Sequence, residues 1–477
     1  MMRAMSRPLR TVALPFALLL LAFAPPAFAR PGGGQSFHSS SSSSHSSSSS
    51  HSSGSSSYGG SSYSSGGSSS SSGDSMPGWM IALIVGFFVI AGIVGMIRQR
   101  SAAGQRAQVT VDAAAAQAGI AALQQVDPSF DVAAFAQRTA QTMAKVNEAW
   151  VAGAMGPARR LISDGVYVRF STQLGLLKAA GVRNLMADWK CTGSQVVAAE
   201  ADALWDTVHV KVVGEARDVE VPLTLSPDDA QKKVQHASIE SYQEVWSFVR
   251  RRGKQSKGGA PTLEGHCPQC GADMPLGDTV RCDFCKHLVN SGEHDWVLAE
   301  ITQPEVWQPG ASAGKVIPGL DDLRKKDPAL SRQELEDRAS VVMWKWIEAR
   351  ITGSRSKLDR FCRTPGQPAV AHENLIHPAV GSSDLTAVAL GNDGFDRAFI
   401  DIVWSWERPG ASPATPTTRI VLARSAQVTS RKGLSSLDCP NCDGALADSD
   451  AIKCSYCGAQ LGGGQQEWSM EAISDIA

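Results

Sequence analysis

The chain has almost no net charge. Its 45 lysines and arginines stand against 46 aspartates and glutamates, so no global field recruits a polyanion such as nucleic acid. Cysteine is nearly absent outside two clusters. Eight of the ten cysteines fall in two quartets. Cys191 and Cys362 are left over, and each is expected to be a small buried hydrophobe. No cysteine lies near Ala29 to carry a lipid anchor. From Arg30 to about Ser75 apolar residues are scarce. Ser and Gly with scattered His and Tyr cannot bury enough surface to offset ordering entropy, so residues 30–77 are expected to be a disordered spacer. His38, His45 and His51 belong to that spacer rather than to a metal site. From Trp79 to Ile97 there is no charged residue. No catalytic signature occurs anywhere along the chain.

What is present begins with a leader. Arg3, Arg7 and Arg10 precede an apolar stretch from Val12 to Ala24, and Ala27-Phe28-Ala29 is a small-x-small cleavage pattern. Residues 1–29 therefore read as a signal peptide cut after Ala29. Residues 78–97 read as a transmembrane helix, since the uncharged run would span about 28 Å. Trp79 stands at one interface, with Arg98, Arg100 and Arg106 at the other. The positive-inside rule then puts everything after the helix on the cytoplasmic side. Ala82 with Gly86, and Ala91 with Gly95, are small pairs four apart that suit a helix-pairing face and a homo-oligomer. Residues 98–126 read as a helical linker.

The quartets are Cys267, Cys270, Cys282 and Cys285, then Cys439, Cys442, Cys454 and Cys457. In each, a Cys-Pro-x-Cys pair precedes a second Cys-x-x-Cys pair. Two tight turns can aim four thiolates at one tetrahedral zinc and leave no open position, which is the pattern of a structural site. Gly271 and Gly458, just past a ligand, supply the left-handed backbone such a turn needs. Disulfides are the alternative, and a reducing compartment disfavours them. Two zinc ions per chain are expected, in ribbons spanning residues 265–288 and 437–460.

The quartets belong to a longer internal repeat. Trp296 and Ile301 recur as Trp468 and Ile473, in the register of the cysteines. Asp127-Pro128 recurs as Asp327-Pro328, followed by helices that match at Arg138 and Arg338, Met143 and Met343, and Glu148 and Glu348. Phe135, Met143, Val146 and Trp150 share one helical face, as do Leu335, Met343 and Trp346. Gly153 and Gly353 are the expected helix stops. A second helical stretch follows at Ala158–Leu177 and at Lys357–Cys362. Alternation at Val208, Val210 and Val212, at Val219 and Val221, and from Tyr242 to Arg250 then predicts strands. Counterparts lie at Ala398–Trp406 and Thr418–Ala423. Helices followed by an antiparallel meander predict an α+β fold. The domains would be 127–305 and 327–477, joined by a linker at 306–326, with each ribbon replacing the turn of the last hairpin.

Asp127 to Leu177, with Phe135 and Glu148-Ala149-Trp150, resembles the C-terminal domain of the mitochondrial import-motor anchor, inner-membrane translocase subunit 44. The pair Glu244–Val249 and Trp296–Ile301 resembles that family's final hairpin. The resemblance implies two cone-shaped domains like nuclear transport factor two, in a bacterial inner-membrane protein. Such a protein would bind anionic lipid, a peptide or a protein partner, and would not be an enzyme. The repeat and the ribbons depart from the family. Two other functions compete. An enzyme on this fold would use a pocket carboxylate or His–Asp pair, with Asp206 and His209, or Asp401, as candidates. A nucleic-acid reader would use Arg250-Arg251-Arg252 with Lys254 and Lys257. The second copy answers that run only with Arg431 and Lys432, so nucleic acid is the less favoured partner.

Overall fold

The computed structural model describes residue 37 and residues 108–476, apart from 257–259, 261, 275–276, 278, 309–314, 432 and 447–450. The expected signal peptide, membrane span and spacer lie outside the described residues, Phe37 excepted. Among the described residues no helix is long and apolar enough to cross a membrane.

The first half opens with α1 (Ala113–Val126), capped by the Asp112 carboxylate, which accepts from the Ala115 N–H at 3.0 Å. This segment was expected to be linker, but it packs as part of the domain. Ile120 and Leu123 are buried, and a Cβ at Gly119 would lie 1.9 Å from the Ala199 carbonyl oxygen. Only glycine lets the helix lie that close to the sheet. Helix α2 (Val132–Val151) starts at the Asp131 cap and buries Phe135, Met143, Val146 and Trp150. It ends at Val151, two residues before Gly153, whose φ is 72°. Helix α3 (Asp164–Ala179), capped by Ser163, starts later than its sequence suggested, because Gly156–Ala158 form a separate 3₁₀ turn.

Four strands follow: β1 (Val182–Ala201), β2 (Trp205–Pro222), β3 (Ile239–Arg251) and β4 (Val297–Thr302). They pair antiparallel in chain order. A short helix α4 (Pro227–His236) crosses between β2 and β3. The second half repeats the plan with α5 (Leu320–Lys326), α6 (Arg332–Thr352), α7 (Ser356–Asp359), β5 (Ile376–Ala389), β6 (Phe395–Glu407), β7 (Thr417–Ser425) and β8 (Ser469–Ile476), the strands again in chain order. Each cysteine quartet lies between the last two strands of its sheet. Strands β1 and β5 show no clean alternation in the sequence. Both carry register shifts against their neighbours, at Ala187/Lys190 and Ile376/Ala379 among others, and each bulge resets the in–out pattern.

The two halves pack directly on each other. Helices α3 and α6 are in contact. The Gly165 N–H donates to Asp337 Oδ1 at 2.8 Å, and a Cβ at Gly165 would crowd that same oxygen. Arg169 bridges β4 and β5, donating to the carbonyls of Ile301 at 3.0 Å and Val380 at 3.1 Å. Helix α6 is thus covered on both sides, which explains why Asp337, Arg338 and Lys345 are buried along with its apolar face.

One contact set recurs in both halves. Asp127 Oδ2 accepts from Arg250 Nη2 at 2.8 Å and from the Ser256 N–H at 2.9 Å. Asp327 Oδ2 accepts from Arg424 Nη2 at 2.6 Å and from the Ser430 N–H at 2.9 Å. Arg250 lies 4.3 Å over Trp296 and Arg424 4.5 Å over Trp468. Arg138 and Arg338 donate to the carbonyls of those same tryptophans. Each lock ties the start of a long helix to both strands that flank a cysteine quartet.

Candidate metal centres and the cavities beside them

Each Cys-x-x-Cys pair sits on the same small knuckle. The N–H of the residue after the second cysteine donates to the carbonyl of the first: Gly271 to Cys267, Lys286 to Cys282, Asp443 to Cys439 and Gly458 to Cys454, at 2.8–3.0 Å. All four of these donor residues have a left-handed backbone, with φ of 77°, 61°, 56° and 74°. Glycine was expected at two of them. Lys286 and Asp443 adopt the same turn at a cost of about 1–2 kcal/mol each. The N–H of the first cysteine then donates back across the knuckle to Ala272, His287, Gly444 or Ala459.

Paired knuckles bring the sulfurs together. The Sγ–Sγ distances are 3.6 Å for Cys267–Cys285, 3.7 Å for Cys270–Cys282, and 3.7 Å for both Cys439–Cys457 and Cys442–Cys454. Within each quartet all four sulfurs lie within 4.8 Å of one another. A disulfide needs about 2.05 Å. A tetrahedron with metal–sulfur bonds of about 2.3 Å has edges of about 3.8 Å. The donor set therefore fits a closed four-thiolate metal centre. Phe284 and Tyr456, inside the second knuckle of each quartet, are 74% and 70% exposed.

The ribbons are not free appendages. Arg160 Nη1 donates to the Met274 carbonyl at 2.6 Å. Arg281 pairs with Asp438 at 2.7 Å, joining the first ribbon to the second. The Leu434 N–H donates to the Ser291 carbonyl at 2.9 Å.

The candidate catalytic residues do not assemble as anticipated. Asp206 and His209 are three apart on β2 and face opposite sides. His209 instead contacts Glu200 at 2.7 Å and Ser247 at 2.8 Å. The cavity that His209 and Ser247 line, between the two halves, is only about 60 Å³, room for a few waters. Asp401 is held bidentately by Arg419 at 2.7 and 2.8 Å. The arginine run is also engaged. Arg250 is buried in its lock, Arg251 lies over Trp205, and Arg252 pairs with Asp206. Lys257 lies outside the described residues. Cys362 is fully buried as expected, but Cys191 is half-buried, its thiol donating to the Gly193 carbonyl.

The small cavity between the halves is strongly acidic. Glu300 from β4, Glu336 from α6 and Asp384 from β5 converge there, with His209, Arg169 and Arg332 facing them and Glu200 paired to His209 and Arg332. Burial, reinforced by the neighbouring Glu336 and Asp384, pushes the Glu300 carboxyl up to about 8. Burial does the same for Glu336, to about 7. A carboxyl whose folded pKa is raised binds more protons in the native state, so it stabilises below its unfolded pKa and loses that contribution as pH rises to the folded value. Stability should therefore fall between about pH 4.5 and pH 8. Glu300→Gln should flatten that fall and gain on the order of 1 kcal/mol at pH 8.5. Urea midpoints at pH 6 and pH 8.5 check it.

A larger cavity of about 650 Å³ opens at the outer end of the first half. Phe130, Phe135 and Trp296 give it an aromatic wall, and Arg138, Arg250, Asp131, Glu264 and Asp295 a polar one, with Arg138 paired to Asp295 at 3.1 Å. The corresponding place in the second half, beside Arg338, Arg424 and Trp468, holds only about 50 Å³.

Residues 116–259 match the Tim44-like domain family. The match runs from within α1 to just past β3, which agrees with the packing of α1 into the first half. Among curated proteins no match is found. A solved structure described as an Ntf2 like protein involved in plasmid conjugation is 10% identical. The alignment covers 58% of this chain and 91% of that one, with a TM-score of 0.16. At that score the likeness carries no argument. What is established for the fold is a mixed α/β architecture with two four-stranded antiparallel sheets.

Proposed function

We propose that this chain is a membrane-held binding scaffold: two cone-like domains, each with a structural zinc ribbon, present one rigid body to a lipid or protein partner. The observation that carries the reading is the Tim44-like match at residues 116–259, since such domains act as anchors and binding modules. The recurring aspartate–arginine–tryptophan locks support an internal duplication. The four-thiolate geometry supports zinc, and zinc in turn favours a reducing, cytoplasmic compartment. The span at residues 78–97 supplies the tether, with the inner membrane as its site.

One contact pulls against that orientation. Phe37 is buried, and a Cβ at Gly381 would lie 2.5 Å from its ring. A single span after Phe37 would put the two on opposite sides of the bilayer. One experiment addresses membrane binding and topology together. A fragment from residue 108 onward is expected to float with anionic but not neutral liposomes. In intact cells, a cysteine placed at exposed Ser354 is expected to stay unmodified by a membrane-impermeant reagent. Flotation without preference, or labelling from outside, would overturn the reading.

A further inference from the structure

The two sheets meet edge to edge. Strand β4 closes one sheet and β5 opens the other, and an edge strand leaves a row of backbone groups without a neighbouring strand. A backbone bond crosses between them, from the Gln303 N–H to the Gly381 carbonyl at 3.0 Å. Arg169 adds its contacts to the carbonyls of Ile301 and Val380. Further along β5, carboxylates take over. Glu300 Oε1, from β4, accepts from the Ser383 N–H at 3.0 Å, and Glu336 Oε1, from α6, accepts from the Leu385 N–H at 3.0 Å. Two alternate amides on the edge of β5 are thus held by acid side chains instead of by a strand.

Charge around this clamp is unbalanced. Asp384, between the two amides, lies in the field of both glutamates, and Asp337 of α6 lies on the cavity wall. Against them stand Arg169 of α3, Arg332 of α6 and His209 of β2. Arg332 is divided between Glu200 of β1 at 3.4 Å and Glu336 at 3.7 Å, and His209 is also taken by Glu200. Arg169 lies in the field of Glu244 of β3 as well. Asp401, opposite Asp384 on β6, is matched by Arg419. With every acid ionised, Glu200, Glu300, Glu336, Asp337 and Asp384 would face the two guanidiniums of Arg169 and Arg332.

Protons relieve that excess. Burial, with Glu336 and Asp384 beside it, holds the Glu300 carboxyl at about 8, and burial holds Glu336 at about 7. Opened to water, both would return to an ordinary glutamate value of about 4.3. Opening therefore releases protons, and it becomes easier as pH rises from that value to the folded ones. Glu200 is shifted the other way. Against its burial, His209 and Arg332 hold it below the usual range, so its contribution changes only in acid.

From this arrangement we propose that the seam between β4 and β5 is a proton-operated latch between the two halves, shut while Glu300 and Glu336 carry protons and opening locally, with each half still folded, once both ionise. The latch goes beyond the scaffold reading and stands apart from it, since it needs neither membrane nor partner.

Hydrogen exchange of the full chain tests it, followed by mass spectrometry at pH 6 and pH 8.5 and corrected for the base-catalysed intrinsic rate. Peptides containing Ser383 and Leu385 should exchange faster than peptides from the central strands around Val210 and Ile400 at both pH values. Their opening equilibrium should rise by about tenfold or more between the two. Glu300→Gln keeps an acceptor for the Ser383 N–H without the charge, and together with Glu336→Gln it should remove most of that rise. Exchange at Ser383 and Leu385 no faster than around Val210 and Ile400 would mean that the halves part only by unfolding, which overturns the latch. So would the absence of a rise, or a rise that the double variant leaves intact.

Discussion

Chelating the metal from the purified full chain is expected to release two zinc ions and to unfold both ribbons. The interior of the first ribbon is Cys267, Met274, Cys282 and Val289, and that of the second is Cys439, Cys454 and Leu461. Such clusters are too small to hold a fold by apolar burial alone. The left-handed Lys286 and Asp443 add strain that something must offset. A structural zinc site supplies apparent folding energy of about 10–16 kcal/mol near neutral pH, far more than any other single contribution in this chain. Cys282→Ser should bring the metal content from two to one and expose the 265–288 stretch to protease. Elemental analysis with limited proteolysis reads both effects. Two ions retained in Cys282→Ser, or ribbons that resist protease after chelation, would contradict the assignment.

The second large effect concerns the locks. Asp127→Ala is expected to cost about 3–5 kcal/mol, the range for breaking a buried ion pair from one side. It strands Arg250, whose side chain is 2% exposed, and frees two Ser256 donors at once. Asp127 is held below the usual carboxylate range by the Ser256 and Arg250 hydrogen bonds, which outweigh the opposing desolvation. A depressed carboxyl contributes stability above its unfolded pKa and loses it as pH falls, so the wild-type advantage over Asp127→Ala should shrink in acid. Asp327→Ala should cost a similar amount at neutral pH, because Arg424 and Ser430 repeat the contacts. Adding Arg250→Met to Asp127→Ala should restore part of the loss, since the charge is then no longer left alone. Urea denaturation of the three variants beside the wild type tests the set, and a loss under about 1 kcal/mol for either alanine variant would sink it.

How much of this was legible beforehand follows from the physics of each element. The convergence of each cysteine quartet was readable because four sulfurs on two turns is a short-range constraint written in spacing. The long helices were readable because Phe135, Met143, Val146 and Trp150 keep one period through uninterrupted backbone. Strands β1 and β5 were not, because their bulges break the alternation. Helix α1 looked like a linker because only Ile120 and Leu123 reach the core and its tightest contact is made by Gly119, which has no side chain to read. The locks were half legible. Asp127-Pro128 and Asp327-Pro328 announced a repeat, but their arginine partners lie more than ninety positions away. The pairing of His209 with Glu200 and Ser247 was hidden because it depends on strand register.

The bond between Arg281 and Asp438 has a consequence for how the protein would respond to metal scarcity. Each knuckle system leans on the other, so emptying one removes a support from its neighbour and weakens the remaining ion's hold. A chain holding a single ion should then hold it somewhat more weakly than the same site does in the fully loaded chain, so the two losses would be linked, not independent.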